Sequence, residues 1–327
     1  MKKKRILITG VAGMIGSHFL DKLMSLPDYE VVGIDNLKIG NLKNIESWTD
    51  HERFKFYKID ILDFESLKIV SRDIDIIVHM AAEKKIGEGQ NSSITLEVNT
   101  QGTKNIFDVA KMWSCKVIYA STSDVYGMSP DLPLKEDGDL LLGPSMIKRW
   151  SYAVSKLYGE QLAFAYHYDH GVPAVILRYF GAFSPRASFA WSGGHVPIFI
   201  NAILEGDEVI IHGDGTQTRS MGFVEDVVEG TFLAMNSDKA IGQIINIGND
   251  EELSVLDTAK MIHEIANPTH KLNLKFVPMA EVFGKYKDIM RRIPDLTKAH
   301  ELLGYKPKYK LIDAVKATIN EIKKSKQ

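Results

Sequence analysis

Arg5-Ile6-Leu7-Ile8-Thr9-Gly10-Val11-Ala12-Gly13-Met14-Ile15-Gly16 joins an apolar run to a helical pattern through three closely spaced glycines. Behind them, Ile15, Phe19, Leu20 and Leu23 fall on one side of a helix expected over residues 14–26. Glycines let a strand turn sharply into a helix and let the backbone approach a pyrophosphate, whose charge meets the helix N-terminus. Gly10, Gly13, Met14, Ile15 and Gly16 are therefore candidate dinucleotide-binding residues. The spacing G-x-x-G-x-x-G departs from the standard fingerprint, and a plain strand–helix turn uses the same residues. Asp35 argues for the cofactor. It ends the next β-rich run, 19 residues past Gly16, where a carboxylate hydrogen-bonds an adenosine ribose. A carboxylate there repels a 2′-phosphate, which favours NAD over NADP.

Outward from this unit, short Val/Ile-rich runs alternate with helical patterns. Strands are expected at 30–34, 54–59, 75–78, 116–120 and 174–179, with helices at 94–112 and 152–169. Continuous rather than alternating apolar runs mark strands buried on both faces, so the expected class is α/β, a doubly wound parallel sheet. The texture changes after Tyr179. Residues 181–194 read as a long loop, followed by shorter elements near 196–204, 209–212, 224–235, 243–247, 255–266 and 313–324. The division expected is 1–180 and 181–327, with 223–248 returning to pack on the first part.

The chain has 327 residues, is 45% hydrophobic and 25% charged, and balances 40 basic against 42 acidic residues. That composition excludes disordered, collagen-like and disulfide-scaffold classes and offers no global field for nucleic acid. Cys115, the single cysteine, sits in an apolar run and reads as buried and inert. No Cys-rich metal site exists, and His167 and His170 lack a third ligand in the sequence, so no metal is expected. The basic start, Met1-Lys2-Lys3-Lys4-Arg5, is followed by neither a signal-peptide cleavage site nor a membrane span. A cytoplasmic protein is expected.

Tyr152-Ala153-Val154-Ser155-Lys156 places a phenol and an ammonium four residues apart on one helix face. A neighbouring cation, with a positive nicotinamide ring, lowers a tyrosine pKa towards neutrality and prepares the phenolate to take a hydroxyl proton as hydride leaves carbon. Ser121-Thr122-Ser123-Asp124 ends the fifth strand and offers a hydroxyl to the same oxygen.

With these motifs the chain resembles, over essentially its whole length, extended short-chain dehydrogenases/reductases of the NAD-dependent nucleotide-sugar epimerase/dehydratase family. TGVAGMIGSH, Asp35-Asn36-Leu37, HMAAEK (His79 to Lys84), STSDVYG (Ser121 to Gly127), YAVSK, LRYF (Leu177 to Phe180), HGDGTQTRS (His212 to Ser220) and PDLTKAHELLGYKP (Pro294 to Pro307) carry the likeness in order. The resemblance implies a Rossmann-like NAD domain with a smaller α/β substrate-binding C-terminal domain. It makes Thr122 the catalytic hydroxyl, Tyr152 the base and Lys156 the residue that tunes it and holds the nicotinamide ribose. Asn36, Asp60, Ile61, Ala81, Ala82, Lys84, Asn99 and Tyr179 would line the cofactor. Ser123, Arg219 and Arg292 would meet the substrate, a nucleotide-diphosphate sugar. The family's usual homodimer agrees with the nearly all-round apolar helix after Tyr152.

Two departures matter. Gly181 stands where many relatives carry an asparagine that touches the sugar diphosphate. Asp124 stands where dehydratases and uronate decarboxylases of the family carry a longer glutamate, which makes it a poor base at sugar C5 and a tentative catalytic residue. The sequence reading is therefore a 4-epimerase working through a 4-keto intermediate. Uronate decarboxylation and 4,6-dehydration are its alternatives, and a catalytically silent NAD-binding protein is a remote one.

Overall fold

The strand that precedes the glycines, β1 (Lys4–Thr9), is buried from Ile6 to Thr9, with Ile6 and Ile8 facing one side and Leu7 the other. In the computed structural model, which describes residues 3–84, 91–187, 194–283 and 289–325, it is an interior strand of a seven-stranded parallel sheet. The elements in order are β1, α1 (Met14–Met24), β2 (Tyr29–Asp35), β3 (Phe54–Lys58), α2 (Phe64–Val70), β4 (Ile76–His79), α3 (Ser92–Trp113), β5 (Lys116–Thr122), α4 (Trp150–His170) and β6 (Ala174–Tyr179). There follow β7 (Gly181–Phe183), α5 (His195–Glu205), β8 (Val209–His212), β9 (Thr218–Phe223), α6 (Val224–Met235), β10 (Ile244–Ile247), β11 (Glu252–Ser254) and α7 (Val255–Ala266). The chain closes with β12 (Leu274–Val277), α8 (Met279–Phe283), α9 (Thr297–Leu303) and α10 (Leu311–Ser325).

The sheet order is β10-β6-β5-β4-β1-β2-β3, with every pairing parallel. The chain runs outward from β1 to β3 and then restarts at β4 on the other side, leaving a crevice at the carboxyl ends of β1 and β4. Gly10 and Ala81 meet there so closely that a Cβ on Gly10 would lie 3.0 Å from the Ala81 backbone. The doubly wound α/β expectation is borne out, because each central strand is apolar on both faces. One core joins Ile6, Ile8, Phe19 and Leu20 to Val227, and the other joins Leu7, Ile77, Val117 and Phe107. Truncating Leu7 to alanine is expected to cost about 2–5 kcal/mol.

The first core continues through Phe183, Phe199, Ile211, Phe223 and Tyr305, so the C-terminal elements pack on the sheet rather than standing apart. β10 returns to pair with β6, Ile245 opposite Leu177. The remaining short strands form a three-stranded sheet, β11-β9-β7, and a pair, β12-β8. β8 stands where an element was expected at 209–212, but β7 and β9 escape pattern reading, since β9 is Thr-Arg-Ser-Met-Gly-Phe and β7 only Gly-Ala-Phe. The loop expected at 181–194 thus opens with a strand, and its residues 188–193 lie outside the described residues. β5 also runs past its apolar stretch, because Ser121 and Thr122 keep the ladder to Arg178 and Tyr179. Among the described residues no helix is long and apolar enough to cross a membrane.

Candidate active site

The cofactor crevice is built on close backbone approach. Gly10 has φ +73°, and a Cβ on Gly16 would fall 2.2 Å from the Gly10 carbonyl oxygen. Gly13 caps α1 without a side chain, so the first-turn N–H groups of Met14, Ile15 and Gly16 have no acceptor inside the helix. That cradle fits a dinucleotide pyrophosphate. Asp35 ends β2, where its carboxylate accepts the Ala12 N–H at 3.1 Å and the Leu37 N–H at 2.8 Å. Burial pushes its pKa up, and the Leu37 and Ala12 N–H groups pull it back. Asn36 donates to Asp60 at 2.8 Å, which closes the same wall. Asp35, Asn36, Asp60, Ile61, Ala81 and Ala82 share a cavity of 170 Å³ with Gly10 and Gly13.

Other residues read as cofactor contacts lie beside this cavity rather than on its wall. Asn99 uses its amide on the Glu83 backbone, at 2.8 and 3.0 Å, and on Ser155 Oγ at 3.0 Å, so it pins the segment before Lys84 to α4. Lys84 reaches a second cavity, 340 Å³ in volume, and lies 5.1 Å over the Tyr152 ring. Met14, Ile15, Thr122, Tyr152 and Tyr179 line that cavity too, which joins the end of α1 to the C-terminal elements. The Tyr179 hydroxyl pairs with Thr231 at 2.7 Å, leaving its ring to the wall.

Thr122 hydrogen-bonds Tyr152, while the Lys156 ammonium one helical turn on lies 5.0 Å over the Tyr119 ring. Burial raises the Tyr152 phenol above its ordinary value, the Asp124 charge raises it further, and the hydrogen bond with Thr122 opposes both. Lys156, buried and close to Lys84, is lowered to about 7, and its ammonium donates to the Ala120 carbonyl at 2.8 Å. The expected fall of the phenol towards neutrality joined Lys156 with a positive nicotinamide ring; in the protein by itself, burial dominates and holds the phenol up.

The reading of Asp124 as merely a shortened carboxylate is also corrected. Arg292 Nη1 lies 2.8 Å from one Asp124 oxygen, Arg149 Nη2 3.7 Å from the same oxygen, and Lys84 Nζ 3.6 Å from the other. Burial alone would raise this carboxyl, but Arg292, Lys84 and Arg149 overturn that and hold it far below the ordinary range. Three cations therefore share one carboxylate, held ionised at neutral pH, beside Thr122 and Tyr152. The Arg292 Nη1 group also donates to Ser123 at 3.4 Å, while its buried Nε–H meets no acceptor among the described residues. Arg291 turns the other way and forms an exposed fork with Glu252, at 2.9 and 2.8 Å. Arg219 lines the cavity and donates to the Thr218 and Ile289 carbonyls at 2.7 Å.

Sequence reasoning missed Arg149, whose only signal was a basic pair three residues before Tyr152. It also missed Met221. A Cβ on Gly181 would lie 2.5 Å from the Met221 sulfur, so the thioether fills the room that a larger residue at 181 would need.

Comparison with known proteins places these features in context. Residues 7–318 match the family model described as GDP-mannose 4,6 dehydratase. The UDP-N-acetyl-alpha-D-glucosaminuronate decarboxylase of Bacillus cytotoxicus is 38% identical over 319 residues, covering 97% of both chains. UDP-glucuronic acid 4-epimerase from Bacillus cereus, solved with UDP-glucuronic acid and NAD, is 34% identical with a TM-score of 0.87, covering 98% of this chain and 99% of that one. UDP-N-acetylglucosamine 4-epimerase from Methanobrevibacter ruminantium is 28% identical with a TM-score of 0.88, covering 100% of both chains.

Proposed function

The chain belongs to the GDP-mannose 4,6-dehydratase family of NAD-dependent nucleotide-sugar epimerases, decarboxylases and dehydratases, and from that premise we propose that its substrate is a UDP-linked hexuronate oxidised transiently at C4. The observation that carries this reading is the Arg292–Arg149–Lys84 cluster on Asp124. Three cations beside the cavity, with the buried Arg292 Nε–H lacking an acceptor among the described residues, suit a sugar bearing its own carboxylate at C6. The similar decarboxylase and 4-epimerase both act on uronates by name.

Gly10, Gly13 and Asp35 would hold NAD, which would supply an acceptor and donor for the C4 hydride. Tyr152 takes the C4 hydroxyl proton, and Thr122 orients that oxygen. Lys156, poised near neutrality, sets the charge beside the phenol. Residues 1–180 supply the cofactor crevice, and 181–327 supply the sugar-nucleotide wall, with 223–248 returning to the sheet.

Decarboxylation is the fate we favour for the keto sugar. A 4-keto uronate is a β-keto acid. Its C5–C6 bond breaks, the electron pair passes to the enolate at C4–C5, carbon dioxide leaves, and C5 takes up a proton. No base is needed at C5, which suits a carboxylate held ionised and acidic. Asp124 also repels the departing carboxylate. The same low basicity disfavours 4,6-dehydration, which needs the C5 proton removed. The second reading, 4-epimerisation, is supported by the likeness to the uronate epimerase, and Tyr152 serves both of its half-reactions.

Incubation with UDP-glucuronate and UDP-N-acetylglucosaminuronate, read by mass and NMR, tests the proposal. Loss of carbon dioxide supports decarboxylation, and unchanged mass with inverted C4 supports the second reading. Turnover of neutral sugars alone overturns the uronate assignment. We further propose a cytoplasmic homodimer. Val154, Tyr158 and Tyr168 of α4, with Leu96 and Met112 of α3, stay exposed on packed neighbouring helices and offer an apolar face to a second copy.

A further inference from the structure

Asn246 is fully buried in β10, between Ile245 and Ile247. A buried amide must find partners, and this one divides them between two segments. Its Oδ1 accepts the Tyr126 hydroxyl at 2.7 Å. Its Nδ2 donates to the Leu134 carbonyl at 2.9 Å and the Asp295 carbonyl at 3.1 Å. Its backbone N–H donates to Glu136 at 2.8 Å. Tyr126 closes the short turn that begins at Ser123 and carries Asp124. Leu134 bridges to the other segment, its N–H donating to Ile293 and its carbonyl accepting from Asp295, both at 2.9 Å. That segment carries Arg292. One side chain outside the cavity thus holds the Tyr126 hydroxyl on the Asp124 side and the Asp295 backbone on the Arg292 side of their contact.

We propose that Asn246 is a positioning residue that registers the Arg292 guanidinium on the Asp124 carboxylate and so aims the cation cluster at the substrate. An amide is the group required, because the two segments ask for one acceptor and two donors. An apolar isostere takes the acceptor from the Tyr126 hydroxyl, the Asn246 donor from the Asp295 carbonyl and one of two donors from the Leu134 carbonyl, and an ionised acid loses both donors. The consequence for substrate rests on the uronate reading above.

The test uses the NAD-loaded enzyme as Asn246→Ala and as Tyr126→Phe, which removes only one hydroxyl. KM for UDP-glucuronate is expected to rise about tenfold in the first and about threefold in the second, in keeping with small displacements of a binding group. NAD content and inhibition by UDP should stay unchanged. An unchanged KM, or an equal weakening of UDP, overturns the proposal. A second readout needs no substrate: thermal shifts of Asn246→Ala, Arg292→Met and the double variant. Removing Arg292 should lower Tm less when Asn246 is already gone, and additive shifts overturn the proposal. If Asn246→Ala does not fold, Tyr126→Phe carries both measurements. A wild-type enzyme inert towards uronates sinks the substrate reading, and the thermal cycle then decides on Asn246 alone.

Discussion

Arg292 reaches Asp124 across 2.8 Å, bringing a residue 168 positions further along the chain to the end of β5. Arg149 and Lys84 complete the contact, so three cations and one carboxylate gather next to Thr122 and Tyr152. This arrangement governs the first prediction.

Asp124→Asn is expected to lower kcat by at least about tenfold while leaving KM for an acidic substrate unchanged or lower, since three cations lose their anion. Steady-state kinetics with UDP-glucuronate check this. The folded carboxyl is depressed, so it contributes stability above the ordinary aspartate range and loses it as pH falls through the native value. The acid limb of Tm against pH should therefore be flatter in Asp124→Asn. Parallel acid limbs would refute the ion cluster.

Lys156 gives the opposite profile. Its ordinary value is 10.5 and its native value about 7, lowered first by burial and then by Lys84. Between these pH values the unfolded chain holds more protons, so stability rises with pH, and the cost of the buried ammonium is fully present below 7. Lys156→Met should gain stability relative to the parent below pH 7, with the gain shrinking towards pH 10. A gap that stays constant across that range contradicts the assignment.

Asp35→Ala should weaken NAD and narrow its advantage over NADP, because the carboxylate both faces the crevice and holds the Ala12 and Leu37 N–H groups. Isothermal titration with both cofactors measures the change. Equal affinity of the parent protein for NAD and NADP would show that Asp35 does not select.

Gly181→Asn should destabilise by about 1–3 kcal/mol, since its Cβ would overlap the Met221 sulfur. Met221→Ala in the same chain should recover most of the loss in a urea titration. No recovery would place the strain elsewhere.

The parent protein is expected to run as a dimer in light scattering, and Tyr158→Glu with Tyr168→Glu to run as a monomer. Both tyrosines are exposed on α4, at 42% and 73%. A monomeric parent at micromolar concentration defeats the dimer.

Much of this molecule could be read before any coordinates. β1, β2, β4, β5 and β6 announce themselves as apolar runs because both faces of each are covered. The registry of Asp35 with Gly10, Gly13 and Gly16 marks the cofactor crevice for the same local reason. Tyr152 and Lys156 are legible because one helical turn joins them. β7, β9 and β11 were not, since strands of three to six residues with glycine and polar side chains carry no periodic signal.

By itself, then, the sequence determined what short-range stereochemistry and burial can express: the parallel sheet, the glycine turn, the helix bearing Tyr152. Only the tertiary structure decided the character of Asp124, read from sequence as one methylene too short and found as the centre of a cation cluster. The physical reason is that charges act through space and fall off with distance, not with position along the chain. Lys84, Asp124, Arg149 and Arg292 belong to four separate segments, and no periodicity links them until β5, α4 and the segment held by Asn246 are packed together.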